Sequence, residues 1–285
     1  MNTYFISDLH LDESTPKLTK LFEACLKHIE KDCDALYILG DFFELWLGDD
    51  LMSTYQQNIL SLLSDFSKKI PVYFLPGNRD FLVGQQFAKI ANVKLLSDPC
   101  LINLYGQDVI LAHGDHLCTQ DTLHQWFRKL SRNRKMIDFF NTLPTPWKIA
   151  LANSIRKKSK MRGQKRALYL QDVAEKSVLE LFKQFNASIL LHGHTHRPGV
   201  HYYDQQSEII ADKEIYSNII VEQKIFLSSE TNQLKQRFVL PDWHGEQGGM
   251  LCWSEEGKIS FIPLSSARGF LLGMDTTLER EEDRL

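Results

Sequence analysis

The chain alternates short apolar runs with polar, periodic segments. Five runs stand out in its first two thirds: Tyr4–Ile6, Ala35–Leu39, Val72–Leu75, Val109–Ala112 and Ile189–Leu191. Runs of this length predict buried strands. Between them, Lys17–Ile29 places Leu18, Leu21, Phe22, Cys25, Leu26 and Ile29 at helical spacing. Tyr55–Phe66 does the same, Gly84–Ile90 predicts a short helix, and Val173–Phe185 a helix on the core side of the last run. Alternation of this kind predicts an α/β layered domain. From Leu123 to about Ala174 the pattern is helical throughout, interrupted at Leu143-Pro-Thr-Pro-Trp147, where proline ends a helix. Further on, Gly199–Tyr203, Lys224–Ser228, Arg237–Leu240, Met250–Trp253 and Lys258–Ile262 predict strands, with Asp204–Gln223 a polar loop or extended hairpin. The expected organisation is a core of residues 1–122 and 171–263, a helical insertion at 123–170, and a disordered tail at 264–285, whose Glu279–Arg284 are all charged.

Each of the five runs ends in side chains that bind metals. The first enters Ser7-Asp8-Leu9-His10, the second Gly40-Asp41, and the third leads through Pro76 to Gly77-Asn78-Arg79-Asp80. The fourth enters His113-Gly114-Asp115 and the fifth His192-Gly-His-Thr-His196. In open α/β sheets ligands bind beyond the carboxyl ends of the strands, so these residues are expected to meet in one crevice. Asp8 and His10 lie at i and i+2, as do His194 and His196. In an extended segment that spacing puts both side chains on one face. A two-metal site needs a shared ligand between ions ~3.5–4 Å apart, and Asp41 is the candidate. Imidazole, carboxylate and amide ligands without thiolate suit Mn²⁺, Fe²⁺, Zn²⁺ or Co²⁺ better than Ca²⁺. Taken singly, each cluster has a plainer meaning: Asp8 as a helix cap, Asp41 and Gly77-Asn78 as turn residues, His113 as a structural histidine. Five such clusters in one order do not.

Composition changes the picture in one place. The net charge of the 285 residues is −3, yet Arg128–Arg166 holds 13 Lys/Arg and a single acid, Asp138, leaving 20 basic against 35 acidic residues elsewhere. A basic block on an acidic body suggests a site for an anionic partner. The acidic remainder argues against nucleic acid. The five cysteines are odd in number and form no CxxC pair, which favours a reducing cytoplasm over a disulfide framework or zinc ribbon. No N-terminal signal pattern is seen, and no apolar stretch approaches membrane-spanning length.

The order Asp-x-His, Gly-Asp, Gly-Asn-x-Asp, His, Gly-His-x-His over residues 5–196 resembles the calcineurin-like metallophosphoesterases. The resemblance implies a four-layer αββα sandwich with an inserted helical lid. It also implies one metal held by Asp8, His10 and His196, a second by Asn78, His113 and His194, and Asp41 bridging. A narrower resemblance is carried by Ala35-Leu-Tyr-Ile-Leu-Gly-Asp41, Phe43-Glu-x-Trp46, Gly48-Asp-Asp50, Gly77-Asn-Arg-Asp-Phe-Leu82, His113-Gly-Asp-x-Leu-Cys-Thr119, Asp121 and His192-Gly-His-Thr-His-Arg-Pro198. These stretches are similar to the pyrophosphohydrolase family that cleaves UDP-2,3-diacylglucosamine in the lipid A pathway of Gram-negative bacteria. That similarity implies two Mn²⁺ ions and a hydroxide between them attacking the α-phosphorus, with UMP and 2,3-diacylglucosamine 1-phosphate as products. Asp41, Asn78, Arg79 and His113 are then the catalytic residues. Asn78, Arg79, Asp121, Arg156, Ser159, Lys160, Gly163, Arg166 and His194 are the implied substrate contacts. Many phosphoesterases of this superfamily carry His where Arg79 stands. Arginine cannot act as an acid at neutral pH but clamps a phosphate bidentately, which fits a phosphate leaving group. The plainer role for Arg79 is a surface ion pair with Asp80.

The block 123–170 mixes basic residues (Arg128, Arg132, Lys135, Arg156, Lys157) with apolar ones (Phe139, Phe140, Leu143, Trp147, Ile155). A basic amphipathic helix lies on an anionic membrane surface or roofs an acyl-binding cleft, with its basic residues facing phosphates. The expected location is the cytoplasmic face of the inner membrane of a Gram-negative bacterium. The alternatives are a dinuclear phosphodiesterase of soluble nucleotides and a non-catalytic scaffold, the latter disfavoured because no ligand is missing.

Overall fold

The computed structural model describes residues 1–151, 154, 172–203, 209–214, 221–224 and 234–266. The five apolar runs are strands, and they divide between two sheets. β1 (Asn2–Ile6), β2 (Cys33–Leu39), β3 (Val72–Leu75) and β4 (Lys94–Leu95) are parallel neighbours. β12 (Gln247–Ser254) runs antiparallel beside β1, then β13 (Lys258–Ser265) and β10 (Val221–Lys224) complete a seven-stranded sheet. The second sheet has the order β5 (Cys100–Leu104), β6 (Gln107–Ala112), β7 (Ile189–His192), β11 (Lys235–Val239), β8 (Gly199–Tyr203) and β9 (Ile209–Glu214).

The strands alternate their side chains between two apolar layers. Phe5, Tyr37, Leu39 and Leu75 from the first sheet meet Val109, Leu111, Ile189, Leu191 and Phe238 from the second. On the other face of the first sheet, Tyr4, Ile6, Leu36 and Ile38 pack on helices α1 (Pro16–Ile29), α2 (Thr54–Ser67) and α3 (Gln85–Ala91). On the outer face of the second, Ile110, Ala112 and Leu190 pack on Val178, Leu181 and Phe182 of the helix Glu175–Phe185. The layers are therefore helix, sheet, sheet, helix, as the resemblance implied. Burial on both faces is the reason the runs are continuous rather than alternating.

α1 buries the six residues its periodicity selects, and Ser53 and Gln56 close a capping box at the start of α2. Several expectations shift. β5 lies outside the five runs; it joins β6 through Tyr105 and Gly106, both at positive φ, a tight hairpin turn written without the usual Asn-Gly. Of the strand expected at Lys224–Ser228 only Lys224 is described, as the last residue of β10 (Val221–Lys224); residues 225–228 fall outside the described ones. The polar stretch 204–223 contributes β9 to one sheet and β10 to the other, so it is not one hairpin. β13 continues to Ser265, two residues into the expected tail; 267–285 lie outside the described residues.

The helical stretch opens with α4 (Thr122–Ser131), whose N-cap Asp121 accepts a hydrogen bond from the His124 amide (3.1 Å), and α5 (Arg134–Thr142), capped by Asn133. α5 stops before Leu143, extended ahead of Pro144, as the residue preceding proline prefers. Among the described residues no helix is long and apolar enough to cross a membrane.

Candidate metal centre

The carboxyl ends of β1, β2 and β3 in one sheet and β6 and β7 in the other face the same seam. Backbone hydrogen bonds fix the loops there: Asp8 N donates to Gly40 O and His10 N to Asp41 O, both at 3.0 Å, and Gly193 N donates to His113 O at 2.9 Å. The candidate ligands leave their strands in left-handed turns. Asp8 (φ 55°), His10 (φ 48°), Asp41 (φ 50°), His194 (φ 69°) and His196 (φ 54°) all have positive φ. The reason Asp8 and His10 converge is therefore not the two-residue repeat of an extended strand, which ends at Ile6; it is a strained turn, a conformation that non-glycine residues adopt chiefly where function over-determines it. Glycine makes the close approach possible. A Cβ on Gly77 would sit 2.2 Å from Asp41 Oδ1, and one on Gly193 2.2 Å from Asp8 Oδ2.

Two clusters result, one of Asp8, His10 and His196, the other of Asp41, His113 and His194. In the first, His10 Nε2 and His196 Nε2 face each other at 3.4 Å, with Asp8 Oδ1 3.5 Å from His196 Nε2. In the second, His113 Nε2 lies 3.5 Å from Asp41 Oδ1 and 3.0 Å from Asn78 Oδ1. Asn78 thus stands beside this cluster through His113. Asp8 reaches across as well, its Oδ2 accepting the His194 amide at 2.9 Å.

Outer partners orient the rings. His113 Nδ1 donates to Leu39 O at 3.0 Å, leaving Nε2 toward Asn78 and Asp41. His10 Nδ1 lies 3.1 Å from Glu44, and His196 Nδ1 3.5 Å from Asp242. Neither role is legible in the chain order alone. Glu44 is quoted within a motif, yet its partner is 34 residues away in the chain; Asp242 follows β11, far beyond the last cluster.

Burial opposes charge on the His113 ring, but Asp41, Asp8 and Asp115 outweigh it and push the ring up to about 9. His196 is carried up to about 8 against burial by Asp8 and Asp242. Burial, reinforced by the His113 charge, keeps His194 well below the usual imidazole range. Asp8 is held below the carboxylate range in spite of burial by the imidazoles around it. Asp8 Oδ1 is buried and accepts no hydrogen bond from the described residues. An orphaned carboxylate oxygen among converging imidazole nitrogens is costly in an empty site and fits divalent metal.

Arg79 does not pair with Asp80. Asp80 is fully buried and accepts from the amides of Gly77 (2.7 Å), Phe42 (2.7 Å) and Asp41 (3.3 Å), a loop-building role. Arg79 turns instead toward the site, with Nε 4.0 Å from Asp41 Oδ2 and Nη1 3.8 Å from Glu44. Its Nε is buried and donates to nothing among the described residues. Asp121 stays at the cap of α4, whose His124 ring stacks 5.7 Å from His194. Arg156, Ser159, Lys160, Gly163 and Arg166 lie outside the described residues.

Two basic residues of the insertion do not face outward. Arg128 and Arg132 both bond Asp98 and Asp115, each distance 2.9–3.3 Å. Two buried carboxylates need two guanidinium forks more than an open phosphate site does.

The family model for calcineurin-like phosphoesterases matches residues 1–198. A UDP-2,3-diacylglucosamine hydrolase of Coxiella burnetii is 42% identical over 200 residues, 70% of this chain and 82% of that one. Proteins of the same name from Chromobacterium violaceum (38% over 267 residues, 93% of this chain and 100% of that one) and Shewanella piezotolerans (36% over 256 residues, 90% and 95%) match nearly end to end. With a family match across the stretch that holds all five ligand-bearing strand ends, and relatives aligned over most of its length, the chain belongs to the calcineurin-like phosphoesterases, among the UDP-2,3-diacylglucosamine hydrolases.

Proposed function

We propose that the chain hydrolyses the pyrophosphate bond of UDP-2,3-diacylglucosamine, giving UMP and 2,3-diacylglucosamine 1-phosphate, with two Mn²⁺ ions as cofactor. Asp8, His10 and His196 would hold one ion, Asn78, His113 and His194 the other, and Asp41 would touch both. When bound, such ions supply an activated water and neutralise charge on the phosphoryl oxygens.

The observation that carries this reading is Arg79. Its buried Nε, 4.0 Å from Asp41 Oδ2, has no hydrogen-bond partner among the described residues, and the guanidinium would meet a phosphate held over the two clusters. A departing sugar phosphate needs charge neutralised rather than a proton delivered, and guanidinium does that. Glu44 holds the fork and the His10 ring from one carboxylate. Asn78 and His113 stay in mutual register through their 3.0 Å contact.

The helical insertion serves as the lid. Its surface exposes Leu123, Trp126, Met136, Phe139, Trp147, Ile149 and Leu151, an apolar surface suited to acyl chains and a membrane interface. A cleft of about 470 Å³ opens between Ile137 of α5 and Phe81–Val83 of the body. Arg156, Ser159, Lys160, Gly163 and Arg166, with Asp121, remain the proposed substrate contacts, and the cytoplasmic face of a Gram-negative inner membrane the proposed location. Incubating the purified chain with Mn²⁺ and either the diacylated or the deacylated UDP-sugar tests the reading: UMP should appear with the first and far less with the second. Equal release from both overturns it in favour of a soluble-nucleotide phosphodiesterase.

A further inference from the structure

Behind the His113 cluster lies a polar group that the chemistry above does not use. Asp98, Asp115 and His116 come close enough to hold a cation, but the guanidinium groups of Arg128 and Arg132 already occupy their carboxylates. Arg128 Nε donates to Asp115 Oδ2 and Nη2 to Asp98 Oδ2, both at 2.9 Å. Arg132 Nη1 donates to Asp98 Oδ2 at 3.0 Å and Nη2 to Asp115 Oδ2 at 3.3 Å. Both carboxylates are buried, and burial holds no penalty for Asp115 that Arg132, His113 and Arg128 do not reverse.

The two arginines differ in one contact. Arg132 Nη2 also donates to the carbonyl of Gly77 at 3.1 Å, and Gly77 precedes Asn78. The other side of this turn is fixed from the body, by Asp80 on the Gly77 amide and Asp41 on the Arg79 amide. Asp98 completes the circuit, its second oxygen accepting the His113 amide at 3.0 Å. Asn78 and His113, the pair in 3.0 Å contact, are thus tied through their backbones to a residue standing between α4 and α5.

We propose that Arg132 is a positioning residue for the metal ligands Asn78 and His113, coupling the root of the helical insertion to that half of the centre. The inference rests on the dinuclear reading above. Its reach is specific: a shift of α4 that frees the Gly77 carbonyl loosens Asn78 and leaves Asp8, His10 and His196 as they are.

The experiment is a Mn²⁺ titration of the full chain by isothermal calorimetry, with free Mn²⁺ followed by electron paramagnetic resonance. Wild type should bind two ions. Arg132→Lys keeps the charge opposite Asp98 and Asp115 but cannot fork to Gly77 as well. It should bind one ion as wild type does and the second about tenfold or more weakly, the size of effect typical of outer-sphere partners. Arg128→Lys disturbs the same two carboxylates without touching Gly77, and should lower the melting temperature while keeping both ions. Two undiminished ions in Arg132→Lys, or equal weakening in both variants, overturn the coupling; fewer than two ions in wild type overturns the dinuclear reading itself. Hydrogen exchange on wild type needs no variant. Adding Mn²⁺ should slow exchange at Gly77–Arg79 and in α4 together, and slowing confined to the ligand loops overturns the proposal.

Discussion

The proposed reading has Asp41 shared by both ions; its Oδ1 lies 3.5 Å from His113 Nε2 and its Oδ2 4.0 Å from Arg79 Nε. Asp41→Ala is expected to abolish turnover and lower the bound metal, whereas His10→Ala and His113→Ala should each weaken one ion; near-normal metal-dependent activity in Asp41→Ala would contradict the shared role. Arg79→Lys keeps a charge but loses the fork. It should cost about 2–4 kcal/mol in kcat/KM, the range for one preorganised donor, at unchanged metal content. Steady-state kinetics beside metal analysis separates the two effects. At this scale the ligands were legible because their identities and order are local. Their geometry was not: the sequence of Asp8-Leu-His10 reads as an extended pair, and it is a left-handed backbone at both residues that brings them into one cluster. Glu44 and Asp242 escaped because nothing near them in the chain names their partners.

The five strands and the helices α1 and α2 could be read because burial on one or two faces writes itself into periodicity. β4, two residues long, and β5, whose exposed positions are the apolar Leu101 and the polar Asn103, carry no such signal. The insertion was legible as helical and basic, but not in its division of labour. Arg128 and Arg132 anchor it inward, and Lys148 is buried against Asp50 at 2.7 Å. Its apolar residues go the other way: Trp126, Phe139 and Trp147 are 62%, 60% and 69% exposed. If that surface takes acyl chains and lipid, Phe139→Glu and Trp147→Glu should raise KM for the diacylated substrate and reduce sedimentation with anionic vesicles, with both metals retained. Retained vesicle binding in both variants would assign the surface elsewhere.

For the whole molecule, the clusters set a pH dependence whose sign reverses with metal. In the metal-free chain His113 and His196 have been raised from 6.5 to about 9 and about 8. Groups raised on folding stabilise fully below 6.5, and that contribution is lost as pH rises through 8 and 9. Ligands must be deprotonated to bind, so Mn²⁺ affinity should instead climb from pH 6.5 to 9, with up to about two protons released per chain near pH 7. Calorimetry in buffers of different ionisation enthalpy counts those protons, and a pH-independent affinity would refute the arrangement. The sheet topology carries one more consequence. Every proposed ligand lies within residues 1–198, yet β1 sits between β2 and β12, and the Asp8 carbonyl accepts the amide of Trp243. A nascent chain that has emerged only as far as His196 carries all the proposed ligands but lacks β12 beside β1 and the Trp243 amide on the Asp8 carbonyl. If that brace is needed for binding, metal joins a nearly finished polypeptide, and a chain ending before β12 should bind Mn²⁺ more weakly than the full one.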